Sequence, residues 1–234
     1  MQDGILEWKA QLPDMQQLKS RLHLDEDSDP DDLEELERLV GEAQRLARPR
    51  SMFRITPVTD RGETWAEIAG VRAESALVAK NLASQDVCAA YISTCGTELG
   101  QWAQGYRADP FLQFWTDEIM LVYLGQATAA LTAYLRENVF GGAKFSHMSP
   151  GSLKEWPITG QRAVFTALGA QPDAEGGLVS PLGVRLTPSC LMIPAKSVSG
   201  LAFLSDSGFV NCAYCPRERC PNRRAPYGGQ SPLS

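Results

Sequence analysis

Residues 87 to 94 read Val-Cys-Ala-Ala-Tyr-Ile-Ser-Thr, and residues 95 to 99 continue as Cys-Gly-Thr-Glu-Leu. The first segment is a short run of apolar and small residues without a charge, which is typical of a buried β-strand. Further along, Asp109-Pro110 opens a long helix, because Asp is a favoured N-cap and Pro is tolerated at the first helical position. We therefore expect a buried strand and a long scaffold helix at the centre of the fold.

The long helix is expected to end at Gly141-Gly142. Its predicted apolar face consists of Leu112, Trp115, Ile119, Val122, Ala129 and Ala133. Other strands are predicted at 52–55, 183–187, 200–204 and 209–212, and other helices at 73–82 and 161–168. This order of elements indicates an α+β fold, with a modest, mostly antiparallel sheet packed against helices.

The chain divides into three predicted parts. Residues 1–50 form a helical arm, because Leu33, Leu36, Val40, Ala43 and Leu46 follow helical spacing. The acidic run at 25–32 precedes that helix and complements its dipole, either as a solvated cap or as a docking surface. Residues 51–205 form the core, and residues 206–234 form a cysteine-rich tail.

Composition excludes several classes of function. The 234 residues carry a net charge of −6, which argues against a nucleic-acid partner, since phosphate binding needs a basic face. The apolar stretch from Ile119 to Leu135 is interrupted by Gln126 and does not indicate a membrane span. The first residues lack the basic and apolar segments of a secretory signal. We expect a cytoplasmic protein.

Three of the six cysteines lie close together in the tail, at Cys212, Cys215 and Cys220. A C-x2-C-x4-C cluster in a reduced compartment indicates a metal centre more often than disulfides. Thiolates favour iron–sulfur clusters and zinc. A single C-x2-C knuckle departs from the usual paired zinc ribbon, and Arg217, Arg219, Arg223 and Arg224 would stabilise a negative cluster. We predict an iron–sulfur cluster, with structural zinc or plain thiols as alternatives.

The predicted metal centre needs a fourth ligand, and the sequence offers three candidates. Cys190 is the first candidate, Cys95 is the second and His147 is the third. Cys88 lies inside the predicted strand at 87–94 and is expected to pack as a small apolar core residue.

Several segments resemble one known family. The segments are Thr94-Cys-Gly-Thr-Glu-Leu99, Trp156-Pro157 and Met192-Ile-Pro-Ala-Lys-Ser-Val-Ser-Gly200, together with the long helix after Asp109. They are similar to the activation (reactivation) domain of cobalamin-dependent methionine synthase and its stand-alone relatives. The resemblance covers roughly residues 52–205, and the cysteine-rich tail lies outside it.

The resemblance implies a domain that binds S-adenosylmethionine and docks on a corrinoid protein. It implies a ligand site at His147, Gly151, Ser152, Lys196 and Ser197. Aligned with the family's Arg-x-x-x-Gly-Tyr motif, this chain has His147 at the Arg position and Ser152 at the Tyr position, and keeps only Gly151. An Arg can pair with a carboxylate through two hydrogen bonds, which His cannot match. No catalytic residue is predicted.

Two functions follow from these observations. In the first, the chain reactivates a corrinoid methyltransferase by passing an electron from the cluster to cob(II)alamin, with an electron-donor protein upstream and S-adenosylmethionine as methyl donor. In the second, it is a non-catalytic module that binds a corrinoid protein and carries structural zinc. The chain lacks the Asp-x-His-x-x-Gly segment that binds cobalamin, so the corrinoid is expected on the partner.

Overall fold

The structure, a computed structural model, describes residues 3–205, 208–218, 223, 225–229 and 231–233. The helices are α1 (Met15–Leu22), α2 (Pro30–Leu46), α3 (Ala76–Asn81), α4 (Thr97–Gln104), α5 (Pro110–Tyr134), α6 (Gln161–Ala167) and α7 (Asn211–Tyr214). The strands are β1 (Asp3–Glu7), β2 (Arg50–Arg61), β3 (Trp65–Ile68), β4 (Val71–Glu74), β5 (Val87–Thr94), β6 (Phe145–Met148), β7 (Gln171–Pro172), β8 (Leu178–Val179), β9 (Arg185–Leu186), β10 (Met192–Ile193) and β11 (Ser197–Leu204). This α+β architecture confirms the predicted fold class.

The main sheet of the described residues is antiparallel, with strand order β4-β3-β2-β5-β11-β6, and β1 pairs with β2. The predicted strand at 87–94 is confirmed as β5, which lies between β2 and β11. Ser51 and Ser93 face each other across this pairing, and their buried hydroxyl oxygens lie 2.6 Å apart. A smaller antiparallel sheet, ordered β10-β9-β8-β7, packs near α6.

Helix α5 begins as predicted. The Asp109 side chain accepts hydrogen bonds from the backbone N–H groups of Phe111 and Leu112, at 2.9 and 3.1 Å. The helix continues through a π-helical turn, Leu135–Val139, and the chain turns at Gly141 and Gly142, which have φ of 57° and 81°. The predicted boundaries of the scaffold helix are confirmed.

The predicted apolar face of α5 is only half right. Trp115 and Ile119 are buried, but Ala129 and Ala133 are exposed. The face that packs inward is formed by Trp115, Thr116, Ile119, Met120, Tyr123, Ala127 and Leu131. The error arose because small alanines fit either side of a helix, so they give little information about which side is buried.

Pro110–Val139 is also the one stretch, among the residues described, that is long and apolar enough to cross a membrane; its most apolar 18 residues have a mean hydropathy of 1.2. A core helix passes the same test, and a third of the most apolar window is buried against the protein. The finding is weak support for a membrane span, and a cytoplasmic location stays a prediction.

The N-terminal part is helical, as predicted, but it also contributes a strand. Strand β1 extends the main sheet through β2, which the sequence analysis did not predict. Leu36, Leu39 and Val40 of α2 pack with Trp115 and Ile119 of α5 in one buried cluster. The division into three domains stays a prediction, but these contacts tie the N-terminal helices closely to the core.

Two other boundaries differ from expectation. The helix predicted at 73–82 is shorter, because residues 71–74 form β4 and the Ser75 hydroxyl then caps α3 by accepting from the Val78 N–H. The strand predicted at 209–212 is wrong. Only Val210 pairs with the sheet, as a parallel bridge to His147, and α7 follows directly.

Candidate functional site

The segment that leaves β6 carries three of the predicted ligand residues. His147 lies in β6, opposite Ala202 of β11, and the chain then turns through Ser149 and Gly151 to Ser152. Gly151 has a φ of 79°, and a Cβ atom there would come within 2.7 Å of the Ile158 side chain. Glycine is therefore favoured at this turn, because it adopts a positive φ without strain and has no Cβ atom to clash with Ile158.

Two cavities flank this turn. The first, which we call the strand cavity, has a volume of about 520 Å³. It is lined by Tyr91, Leu121, Leu124, Gly125, Thr128, His147, Ser149, Ser152, Val198, Val210, Asn211, Cys212 and Arg223. It therefore lies between α5, strands β5, β6 and β11, and the start of the tail.

The second, which we call the tail cavity, has a volume of about 1080 Å³. It is lined by Gly151, Ser152, Leu153, Lys154, Glu155, Pro157, Ile158, Asn211, Cys212, Tyr214, Cys215, Pro216, Arg217, Tyr227, Gly229, Ser231 and Pro232. The two cavities meet at Ser152, Asn211 and Cys212, which line both. We call the two cavities together the groove; the strand cavity alone lies within the range of roughly 300–1,000 Å³ that is typical of small-ligand sites.

The tail is held in place by one arginine. The Arg223 guanidinium donates hydrogen bonds to the carbonyl oxygens of Cys212 and Cys215, at 2.8 and 3.1 Å, and also to those of Ala225 and Arg217. These bonds satisfy carbonyl groups at and after the end of α7 that have no partner within the helix. Arg223 thus shapes the backbone around Cys212 and Cys215, which the sequence analysis had not foreseen.

Aromatic packing fixes the other side of α7. The rings of Tyr214 and Phe209 are stacked, with centroids 5.3 Å apart and planes 14° apart. Phe209 in turn contacts Phe203 of β11, with centroids 6.3 Å apart. The wall of the groove formed by the tail is therefore anchored to the main sheet.

The predicted metal ligands are brought together only in part. Cys212 and Cys215 both line the tail cavity, while Cys190 is buried in the core, 2% exposed, and lines neither cavity. Cys220 lies outside the described residues. Within the described part of the chain, no three His, Cys, Asp or Glu side chains converge on one point. The described residues thus supply one pair of thiols.

The two cysteines of β5 and its loop behave as core residues. Burial raises the pKa of Cys88 to about 11, although a hydrogen bond with Thr56 partly opposes this. Burial likewise raises the pKa of Cys95 to about 12. Both thiols are therefore neutral at physiological pH, and a neutral thiol is a poor metal ligand.

Lys196 and Ser197 line neither cavity. The Lys196 ammonium pairs with Asp117 of α5 at 3.1 Å. The Ser197 hydroxyl is buried and lies 2.9 Å from the Thr94 hydroxyl and 2.8 Å from the Pro194 carbonyl. Both residues connect β11 to its neighbours, and their assignment to ligand binding stays a prediction.

Two groove residues were missed by the sequence analysis. Glu155 comes three residues after Ser152, and its side chain is only 9% exposed. Asn211 lines both cavities, and its amide oxygen is buried without a hydrogen-bond partner among the described residues. Glu155 directly precedes the Trp156-Pro157 pair, but nothing in a sequence distinguishes a buried glutamate from a solvated one.

Comparison with known proteins supports the fold. The structure is similar to the crystal structure of the MetH reactivation domain bound to AdoHcy, with a TM-score of 0.60 and 18% sequence identity over 88% of this chain and 80% of that chain. No family model matches the sequence. No curated protein matches it either. At this identity the likeness establishes a shared fold, which confirms that part of the resemblance seen in the sequence.

Proposed function

We propose that this chain reactivates a corrinoid-dependent methyltransferase. The proposal is carried by one observation: a protein with the fold of a reactivation domain has a ligand-sized cavity at the segment from His147 to Ser152. The sequence resemblance had already selected this segment for an adenosyl ligand, and the structural neighbour was crystallised with AdoHcy. Fold, sequence and groove therefore support the same ligand class.

The reaction balances in two steps. The partner's inactive cob(II)alamin takes up one electron from a low-potential donor and becomes cob(I)alamin. The electron pair on cobalt then attacks the methyl carbon of S-adenosylmethionine, and the carbon–sulfur bond of the sulfonium breaks. The products are methylcob(III)alamin and S-adenosylhomocysteine. This chain's role is to hold the adenosyl ligand at the groove and to present its methyl group to the docked corrinoid.

The strand cavity is the proposed site of the reacting end of this ligand. Tyr91, His147, Ser149 and Ser152 offer polar atoms along one wall, and α5 offers an apolar wall. Without an arginine at position 147, a ligand carboxylate loses its two-bond partner, so we expect weaker binding than in relatives that carry one.

We further propose that the cysteines of the tail hold a redox-active cluster. Cys212 and Cys215 face the groove, and with Cys220 they would supply thiolates to an iron–sulfur cluster. Such a cluster would supply the single electron that cob(II)alamin needs. Metal and sulfide analysis of protein purified without oxygen tests this: we expect iron and sulfide, and their loss in Cys215→Ser. Stoichiometric zinc without sulfide would instead favour the module with a structural metal.

The function is tested with a cobalamin-dependent methionine synthase that lacks its own reactivation domain and holds cob(II)alamin. With titanium(III) citrate and S-adenosylmethionine, we expect this chain to accelerate the appearance of methylcobalamin absorbance. Ser152→Trp, which places an indole where the cavities meet, should abolish the acceleration. Ser84→Trp, at an exposed loop position away from the groove, is the matched control. The same rate with and without the chain would refute the proposal.

A further inference from the structure

Glu155 is a carboxylate without an adequate partner. Its side chain is 9% exposed and lines the tail cavity, and its one ionic neighbour among the described residues is Lys154, at 3.9 Å. The Lys154 side chain is itself 90% exposed, so this pair is weak. No hydrogen bond from the described residues reaches the Glu155 carboxylate, and its oxygens are not fully buried, so its remaining partners are solvent molecules in the tail cavity.

The backbone that carries Glu155 is rigid. The Ser75 hydroxyl donates to the Glu155 carbonyl oxygen at 2.7 Å, which ties the loop to the start of α3. The Trp156 N–H donates to the Leu153 carbonyl oxygen at 3.1 Å, and the Gly151 N–H donates to that of Trp156 at 2.8 Å. Glu155 is therefore held at the cavity in the absence of a ligand, as expected for a preorganised site.

A second acceptor lines the same cavity. The buried Asn211 side-chain oxygen has no hydrogen-bond partner in the described structure. Two acceptors without donors favour an occupant that brings several O–H or N–H groups. Lys154 and Arg217 also line the cavity and carry N–H donors. Tyr214, Tyr227 and Ile158 offer apolar surface for a flat group.

We infer that the tail cavity is a nucleoside site in which the Glu155 carboxylate accepts hydrogen bonds from the two ribose hydroxyls of an adenosyl ligand. A carboxylate that binds a ribose hydroxyl is a recurring solution in nucleotide-binding proteins. The base lies against the tyrosines, and the remainder of the ligand reaches the strand cavity past Ser152, where the cavities join. This inference rests on the proposed function and assigns to that groove a nucleoside end and a specificity residue.

The test is calorimetric titration of the full chain with S-adenosylhomocysteine and with its 2′-deoxy analogue. We expect the wild-type chain to prefer S-adenosylhomocysteine by about 10- to 100-fold, the range for a hydrogen bond to a charged group. Glu155→Gln keeps the size of the side chain and should reduce this preference to about threefold or less. Glu63→Gln, an exposed glutamate in a turn, is the matched control and should keep the full preference.

The possible results distinguish a wrong role for Glu155 from a wrong proposed function. Binding by the wild-type chain with no preference between the ligands, or a preference that survives in Glu155→Gln, would overturn the role of Glu155 and leave the proposed function standing. An absence of S-adenosylhomocysteine binding by the wild-type chain would overturn both. Thermal denaturation of Glu155→Gln confirms that any loss comes from the site, because the backbone bond from Ser75 is retained.

Discussion

Replacing Gly200 with alanine should destabilise the protein through one contact between β11 and the edge strand β6. Gly200 lies in β11 opposite Tyr91 of β5, and a Cβ atom there would come within 2.3 Å of the Met148 carbonyl oxygen on β6. An ordinary contact begins at 3.4 Å, so the two strands must separate by about 1 Å. Strand β11 is held by β5 on its other side, so the edge strand β6 has to shift away from it.

The expected cost follows from this displacement. Overpacking costs about 1–3 kcal/mol, and a weakened ladder hydrogen bond adds about 1 kcal/mol. We expect Gly200→Ala to lower the free energy of unfolding by about 3 kcal/mol, measured by urea denaturation. That is a large share of the roughly 5–15 kcal/mol typical of a domain.

The matched control is Gly41→Ala in α2. An added Cβ at Gly41 meets nothing within 4 Å, so the substitution should stabilise the helix by about 0.5–1 kcal/mol. A loss below about 0.5 kcal/mol in Gly200→Ala would refute the reasoning, because it would mean that β6 and β11 are not packed as tightly as described.

Three further predictions concern the tail, a carboxylate and the buried thiols. Arg223→Gln should make amide hydrogen exchange in residues 211–217 about 10- to 100-fold faster, measured by mass spectrometry, because the hydrogen bonds from Arg223 to several carbonyl oxygens are lost. Unchanged exchange would contradict the role of Arg223 in holding the tail. Hydrogen bonds from Trp102 and Tyr106 lower the pKa of Glu42, so its contribution to stability is present above the ordinary carboxyl pKa and is lost as pH falls through the lowered value. Denaturation of Glu42→Gln should therefore show a deficit of about 1 kcal/mol at pH 7 that shrinks in acid; a deficit independent of pH would contradict it. Burial and raised pKa values should keep Cys88 and Cys95 unmodified by iodoacetamide at pH 8 until urea unfolds the chain; modification of the native protein would contradict this burial.

Elements with a strong local signal were predicted correctly. Residues 87–94 contain no charge and no helix-type periodicity, and they form β5. Asp109 and Pro110 are a cap and a first-turn residue, and α5 begins there. These features are set by nearby residues, so a sequence is enough to recognise them.

The errors came from features that only tertiary contacts decide. The segment at 209–212 has strand-like composition, yet only Val210 pairs with the sheet. The chain then turns into α7, in which the Cys212 carbonyl oxygen accepts a hydrogen bond from Arg223. Strand β1 exists because β2 offers an edge to pair with, which no local pattern reveals. The site followed the same rule: Ser152 was found through a motif, but Glu155 became a candidate only through its burial.

The central claim is that this chain directs a methyl group from S-adenosylmethionine to a partner's cobalamin. It is tested most directly with S-adenosylmethionine carrying a trideuterated methyl group, in a single turnover with the truncated methionine synthase and titanium(III) citrate. Mass spectrometry of the extracted cobalamin should show one trideuteromethyl group on each molecule, formed only when this chain is present. Cobalamin without the label, or equal labelling in the absence of the chain, would contradict the account.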